Sequence, residues 1–175
     1  MTTLATPAVA QPIAADLIVR EIKSAGITHV LTVPDTHLKT VLALLAEESS
    51  PRLVTVCTED EAMAINVGLH ITGHRPMLLI QNNGLFACIN SLKALALDAQ
   101  VPTLLLIGQF GRDVSKSNRD NTLRAVRLLE PTLETWGVPY YTLEGPEDIG
   151  KFADAVQRCW ADQGPVAIVV GAPTS

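Results

Sequence analysis

Residues 57–90 read CTEDEAMAINVGLHITGHRPMLLIQNNGLFACIN, and this stretch decides the fold. Thr58 with Glu61 three positions on is a capping box at the start of a helix. In that box Thr58 binds the backbone at Glu61, and Glu61 reaches back to Thr58. The helix behind it carries Ala62, Met63, Ala64, Ile65, Val67, Leu69 and Ile71. It is apolar nearly all round, which predicts burial in a core or an interface. A short strand, Pro76 to Ile80, runs into a polar elbow, Gln81-Asn82-Asn83-Gly84, and a second helix follows. Glu59 stands at the first helical position and is not needed for the cap. A carboxyl at the mouth of a buried helix, facing a polar elbow, is a candidate working acid. An acid that merely complements the helix dipole is the simpler reading, and pattern alone favours it.

Outward from this stretch the same alternation continues. Pro12 to Ala25 has Ile13, Leu17, Ile18 and Ile22 at helical spacing, and Gly26 stops it. Ile27 to Val33 is a β-branched run ended by Pro34, and a helix from His37 to Glu48 follows. Leu53 to Val56 is the next strand. Beyond the elbow, Pro102 to Ile107 is an aliphatic strand, and Gly108 to Asn121 is a polar loop, long enough to be functional or mobile. Thr122 to Glu130 is predicted helical, and Pro131 to Trp136 a separate short helix closed by Gly137. Tyr140 to Leu143, Glu147 to Asp162 and Val166 to Val170 complete a strand, an amphipathic helix and a last strand. Strands alternating with helices predict an α/β fold, a doubly wound parallel sheet with helices on both faces. Ligands in such folds gather at loops after the carboxyl ends of strands. Here these are Pro34–His37, Cys57–Asp60, Gln81–Gly84 and Gly108–Asn121.

Composition agrees. The chain has 175 residues, enough for one domain, expected over residues 12–175 behind a loose arm at residues 1–11. Hydrophobic residues make up 47% but aromatics only 4%, which suits aliphatic strands buried on both faces. A net charge of −5 argues against nucleic acid as a partner. No run approaches the ~18 apolar residues of a membrane span. Cys57, Cys88 and Cys159 form no CxxC pair, so reduced thiols in a cytoplasmic protein are expected, with Cys57 a buried strand-end thiol.

Other chemistries lack their signatures. No GxGxxG follows the first strand, no Walker lysine occurs, and Ser91 has no GxSxG elbow. His70 and His74 are four apart, but Gly73 intervenes and no acidic ligand is nearby, so they read as surface or packing histidines. His37, beside a strand-end loop, suits acid–base work or is a solvated residue of the first turn. Arg112, Lys116 and Arg119 in the long loop are candidates to attract an anion, or are simply solvated.

The chain resembles the pyrimidine-binding domain of thiamine-diphosphate enzymes, from Ala14 nearly to the end. Glu59 with Ala62 and Gly68 is similar to the helix that carries that family's catalytic glutamate. IQNNGL, Ile80 to Leu85, resembles the QNSGL-type elbow of phosphonopyruvate and sulfopyruvate decarboxylases. TVPDTHLK, Thr32 to Lys39, resembles their VPDSxLK stretch, and EPTLETWGVPYYTL, Glu130 to Leu143, the segment ending in a VPY-type strand. The sequence departs at Leu85-Phe86-Ala87, where the family often has LGN. It departs again at Gln109-Phe110-Gly111, where a tryptophan-arginine-glycine is usual, and at His37, which replaces a smaller residue.

The resemblance implies thiamine diphosphate as cofactor, with Glu59 hydrogen-bonding N1′ of its aminopyrimidine. It implies Asn82, Asn83 and Gly84 beside the cofactor. Gln81, Thr36, His37 and Arg112 are weaker candidates for contact with a small anionic 2-oxo acid. No GDG signature occurs in the chain. The diphosphate and its Mg2+ are therefore expected on a beta subunit with a GDG-type domain, in a hetero-oligomer with paired alpha subunits, and no metal ligand is expected here. The implied activity is 2-oxo-acid decarboxylation. Half of an acetolactate-synthase-type carboligase, or a non-catalytic assembly module keeping the fold, are the alternatives.

Overall fold

Among the described residues six runs form the strands: β1 (His29–Thr32), β2 (Arg52–Thr55), β3 (Pro76–Gln81), β4 (Thr103–Gly108), β5 (Tyr140–Leu143) and β6 (Pro165–Val170). The computed structural model describes residues 11–175, so the arm expected at residues 1–11 lies, apart from Gln11, outside the described residues. All strand pairs are parallel, in the order β2-β1-β3-β4-β6-β5. The helices are α1 (Ala15–Ser24), α2 (Lys39–Glu47), α3 (Glu59–Ile71), α4 (Asn82–Ala87), α5 (Ile89–Ser91), α6 (Arg124–Thr135) and α7 (Lys151–Asp162). A π-helical segment, Leu92–Asp98, continues α5.

Alternation along the central strands builds a core on each face. Leu104 and Leu106 join Met77 and Leu79 under α1, α2 and α7. Leu105 and Ile107 join Leu78 and Ile80 under α3, α4 and α6. Every residue of β4 and β6 is buried, and this is why these strands read as unbroken aliphatic runs. From β1 the chain moves outward to β2, then crosses back to β3. The loops leaving β1 and β3 thus diverge, and the crevice between them is where such sheets bind ligands. Asn66, buried in the middle of α3, fixes that helix to the sheet by donating to the Pro102 carbonyl and to Thr103 Oγ1.

Several boundaries differ from the sequence reading. Helix α1 begins at Ala15, not Pro12, and α2 begins at Lys39, leaving His37 in the turn before it. The two helices expected around Pro131 are one, because Val126, Leu129 and Leu133 share a buried face while Pro131 lies on the exposed side. The helix expected from Glu147 is a 3-10 turn, Pro146–Asp148, followed by α7. Helix α3 buries one face only: Ala62, Met63 and Asn66 are inside, whereas Ile71 is 75% exposed. Cys57 is exposed, not buried, since it follows the edge strand β2.

At the opposite end of the strands His29 meets His74, with ring centroids 4.8 Å apart and edge-on. Arg52 faces His29 in register on β2. Burial first, then His74 and Arg52, hold the His29 pKa below its usual 6.5. The fold therefore prefers the neutral ring. That contribution is complete above pH 6.5 and is lost as pH falls through the lower, folded value. His37, whose pKa is lowered mainly by burial, acts with the same sign. The urea midpoint is expected to fall from about pH 7.5 to about pH 5.5, and His29→Asn to flatten that slope. An unaltered slope in the variant would assign the loss to other groups.

Candidate functional site

Thr58 starts α3 in extended backbone, and its hydroxyl accepts the Glu61 N–H at 3.3 Å. The Glu61 carboxylate reaches back one residue further than the expected box, taking the Cys57 N–H at 2.8 Å. The Asp60 carboxylate accepts the Ser91 hydroxyl at 2.6 Å, which ties α3 to α5. Two of the three acids are thus committed to structure. Glu59 has no hydrogen-bond partner for its carboxyl among the described residues. It is half-buried and lies directly on Gly84 of α4. A Cβ at Gly84 would come 2.6 Å from the carboxyl carbon of Glu59 and overlap its oxygen. Glycine at this place makes room for the acid.

The elbow is tighter than a turn between strand and helix. Gln81 ends β3, half-buried, and Asn82 already begins α4. Asn82 is fully buried and spent on its own chain. Its Nδ2 donates to the Phe110 carbonyl at 3.1 Å, and its Oδ1 accepts the Asn83 N–H at 3.0 Å. Asn83 is exposed. Nearby Cys88 is fully buried, and burial, reinforced by the charges of Glu59 and Asp60, pushes its thiol up to about 12. It stays protonated and inert.

The loop after β1 sits on the other side of this edge. Asp35 is 3% exposed, and its carboxylate accepts the N–H groups of His37 and Leu38 at 3.0 and 3.2 Å. Burial raises its pKa. It packs on Gly108, where any Cβ would strike it. His37 is not a solvated residue of a first turn: its Nε2 lies 3.0 Å from the Ala172 carbonyl. Thr36 is exposed. The Arg112 side chain is 9% exposed and held by Glu144 at 3.3 Å and the Lys116 carbonyl at 2.7 Å. The long loop is internally bonded: Asn121 accepts the Asp113 N–H and donates to the carbonyls of Asp113 and Ser117.

The structure therefore brings Glu59, Asn83 and Gly84 together, with Asn82 as their anchor. Thr36, His37 and Arg112 line a neighbouring pocket. Asp35 was not named as a site residue from sequence, and Gln109, noted there only as a departure from the family pattern, is buried with its Nε2 donating to Asn118. The signal for Asp35 was its place in the stretch Thr32 to Lys39, right after Pro34. An uncommitted carboxyl against a side-chain-free floor fits the edge of an aminopyrimidine, which offers a ring nitrogen to share a proton.

Residues 13–126 match the family model for the thiamine pyrophosphate enzyme, N-terminal TPP binding domain. The sulfopyruvate decarboxylase subunit alpha of Methanococcus maripaludis is 28% identical over 160 residues, covering 91% of this chain and 95% of that protein. Its counterpart of the same name from Methanocaldococcus jannaschii is 30% identical over 130 residues, covering 74% and 76%. A sulfopyruvate decarboxylase of Methanosarcina acetivorans is 25% identical over 153 residues, 87% of this chain but 38% of that protein. Among the described residues no helix is long and apolar enough to cross a membrane. With its parallel sheet and this match over residues 13–126, the chain belongs to the thiamine pyrophosphate enzymes, through their N-terminal TPP-binding domain.

Proposed function

We propose that this chain is the alpha subunit of a two-subunit thiamine-diphosphate-dependent decarboxylase of the sulfopyruvate type, acting on a small anionic 2-oxo acid. The observation that carries this reading is the Glu59 carboxyl, without a described partner, resting on Gly84 at a strand-end crevice. Two relatives bearing the name subunit alpha support it, as does the longer M. acetivorans protein, of which this chain matches only a part. Bound thiamine diphosphate supplies the electron sink that loss of CO2 from a 2-oxo acid requires.

The chain's own residues have three tasks. Glu59 would share a proton with N1′ of the aminopyrimidine. Gly84 and the exposed Asn83 would hold the ring beside Glu59. Asn82 holds these residues in register with the loop after β4 by its bond to Phe110. The name subunit alpha carried by two relatives supports placing the diphosphate and Mg2+ on a partner beta subunit.

The test is reconstitution. This chain, a GDG-containing partner and the mixture are each given thiamine diphosphate, Mg2+ and sulfopyruvate. Only the mixture is expected to release CO2 and sulfoacetaldehyde in equal amounts. A hydroxyketone product would move the reading to a carboligase. Full turnover by either chain alone would remove the shared site.

A further inference from the structure

A pocket of about 400 Å3 opens between the end of α1 and the middle of α7, on the face of the sheet away from α3 and α4. Ala25, Phe152 and Val156 line it with carbon, and Glu21, Arg75 and Gln157 are polar groups in its wall. Its volume lies in the range of small-molecule sites. We propose that this pocket binds a small zwitterion, an α-amino acid with an apolar side chain. Arg75 takes its carboxylate, Glu21 its ammonium, and Phe152 and Val156 its side chain. The inference does not depend on the function proposed above.

Arg75 is set up for an anion. It stands just before β3, half-buried, and its guanidinium lies over the Trp160 ring of α7, 4.1 Å from the centroid. Stacking covers one face of the guanidinium plane and leaves the N–H groups at its edge. None of these has an acceptor among the described residues. The side chain joins no described ion pair, and only the backbone N–H of Arg75 donates, to Thr28 Oγ1. The Nε–H is buried without a partner, whereas the two terminal nitrogens keep some exposure. A carboxylate meets a guanidinium edge with two parallel bonds. Trp160 holds the group in place beforehand, so little side-chain freedom is lost on binding.

Glu21 decides the class of ligand. Its half-buried side chain belongs to the same pocket and also joins no described ion pair. At helical reach on α1 it has Leu17, Ile18, Ser24 and Ala25, none of them a cation. Arg75 does not serve, since no nitrogen of its guanidinium comes within 4.0 Å of the carboxylate. A simple anion drawn to Arg75 is opposed by Glu21, and a simple cation drawn to Glu21 is opposed by Arg75. A molecule carrying both charges satisfies the two together, and an ammonium beside a carboxylate is the arrangement of an α-amino acid. Phe152 and Val156, 0% and 7% exposed, floor the pocket and favour an apolar side chain. The exposed Gln157 adds an amide that donates or accepts at the rim. No lining residue belongs to the edge formed by Glu59, Asn83 and Gly84, so this ligand would not compete there.

The test needs neither partner nor activity. Trp160 reports on the site because Arg75 lies over it, and Trp136, at the end of α6 on the other face, is the internal control. The full chain is titrated with L-leucine while the indole N–H resonances are followed by NMR. Parallel titrations use 4-methylpentanoate, which lacks the ammonium, 3-methylbutylamine, which lacks the carboxylate, and glycine, which lacks the apolar side chain. L-leucine is expected to shift Trp160 saturably and leave Trp136 still, with a midpoint at least about tenfold below that of each analogue. Glu21→Gln is expected to raise the leucine midpoint by about tenfold or more and to bring 4-methylpentanoate level with it. Arg75→Met is expected to raise the leucine midpoint as much, and an unmoved Trp136 resonance shows that either variant is folded. Three results would overturn the proposal: no saturable shift of Trp160 by leucine, any analogue with a midpoint within about tenfold of leucine's, or an unchanged leucine midpoint in Glu21→Gln.

Discussion

Glu59→Gln is expected to lower turnover of the reconstituted enzyme by about 10²- to 10⁴-fold, the range that a positioned proton-sharing group contributes. Glutamine keeps the shape of the side chain and fills the same space over Gly84, but it cannot share a proton with a ring nitrogen. Stability should hardly change. The carboxyl makes no described hydrogen bond, so the loss is confined to its favourable place at the helix N-terminus, about 0.3–1 kcal/mol. The same exchange done at Asp60 or Glu61 should behave in the opposite way. Those acids bind Ser91 and the Cys57 backbone, so stability would suffer before chemistry. Steady-state turnover, thermal unfolding and subunit association measured on the three variants separate these cases. Wild-type turnover in Glu59→Gln would remove the acid from the reaction and favour an assembly role for the chain.

Gly84→Ala is expected to give the second large effect, about 10²-fold in turnover, with little loss of stability. Two terms oppose each other in the folded chain. Alanine favours a helix interior over glycine by about 1 kcal/mol. The new methyl also overlaps the Glu59 carboxyl, with its carbon 2.6 Å from Cδ. What it strikes is the far end of a flexible side chain, which can swing away at small cost. The fold therefore tolerates the change, and the acid does not stay where it is needed. Thermal unfolding near the wild-type value with turnover reduced about a hundredfold is the expected pair of results. Full activity would mean that the position of the carboxyl is not fixed by this contact. A double variant with Glu59→Gln should be no slower than Glu59→Gln alone, since both act through one group.

Much of this was legible in sequence because the decisive features are local. The runs Leu104–Ile107 and Val166–Val170 are buried on both faces, so composition alone marks them as strands of a parallel sheet. Thr58 followed by acids marks the mouth of α3 within four residues. What was not legible depends on distant parts of the chain. The contact from His37 to the Ala172 carbonyl spans 135 positions, and no periodicity reports it. The commitment of Asn82 to Phe110, and of Arg112 to Glu144, likewise appears only once strands are side by side. Pro131 misled for another reason: the buried face of α6 outweighs one missing hydrogen bond. The division of tasks among Glu59, Asp60 and Glu61 was partly visible: the capping box takes Glu61 and leaves Glu59 over, but the bond of Asp60 to Ser91 appears only once α3 and α5 are side by side.

The cap at Thr58 sets the rotational phase of everything behind it. Successive residues of a helix are turned by about 100° from one another, so three adjacent acids look in three directions. One looks at the chain before it, one across to the next helix, and one over the crevice. Inserting or deleting a single residue just after Thr58 would keep the acidic composition and still aim the wrong carboxyl at Gly84. In this chain the spacing from cap to acid is a more stringent constraint than the number of acids, and libraries that vary this segment should hold its length fixed.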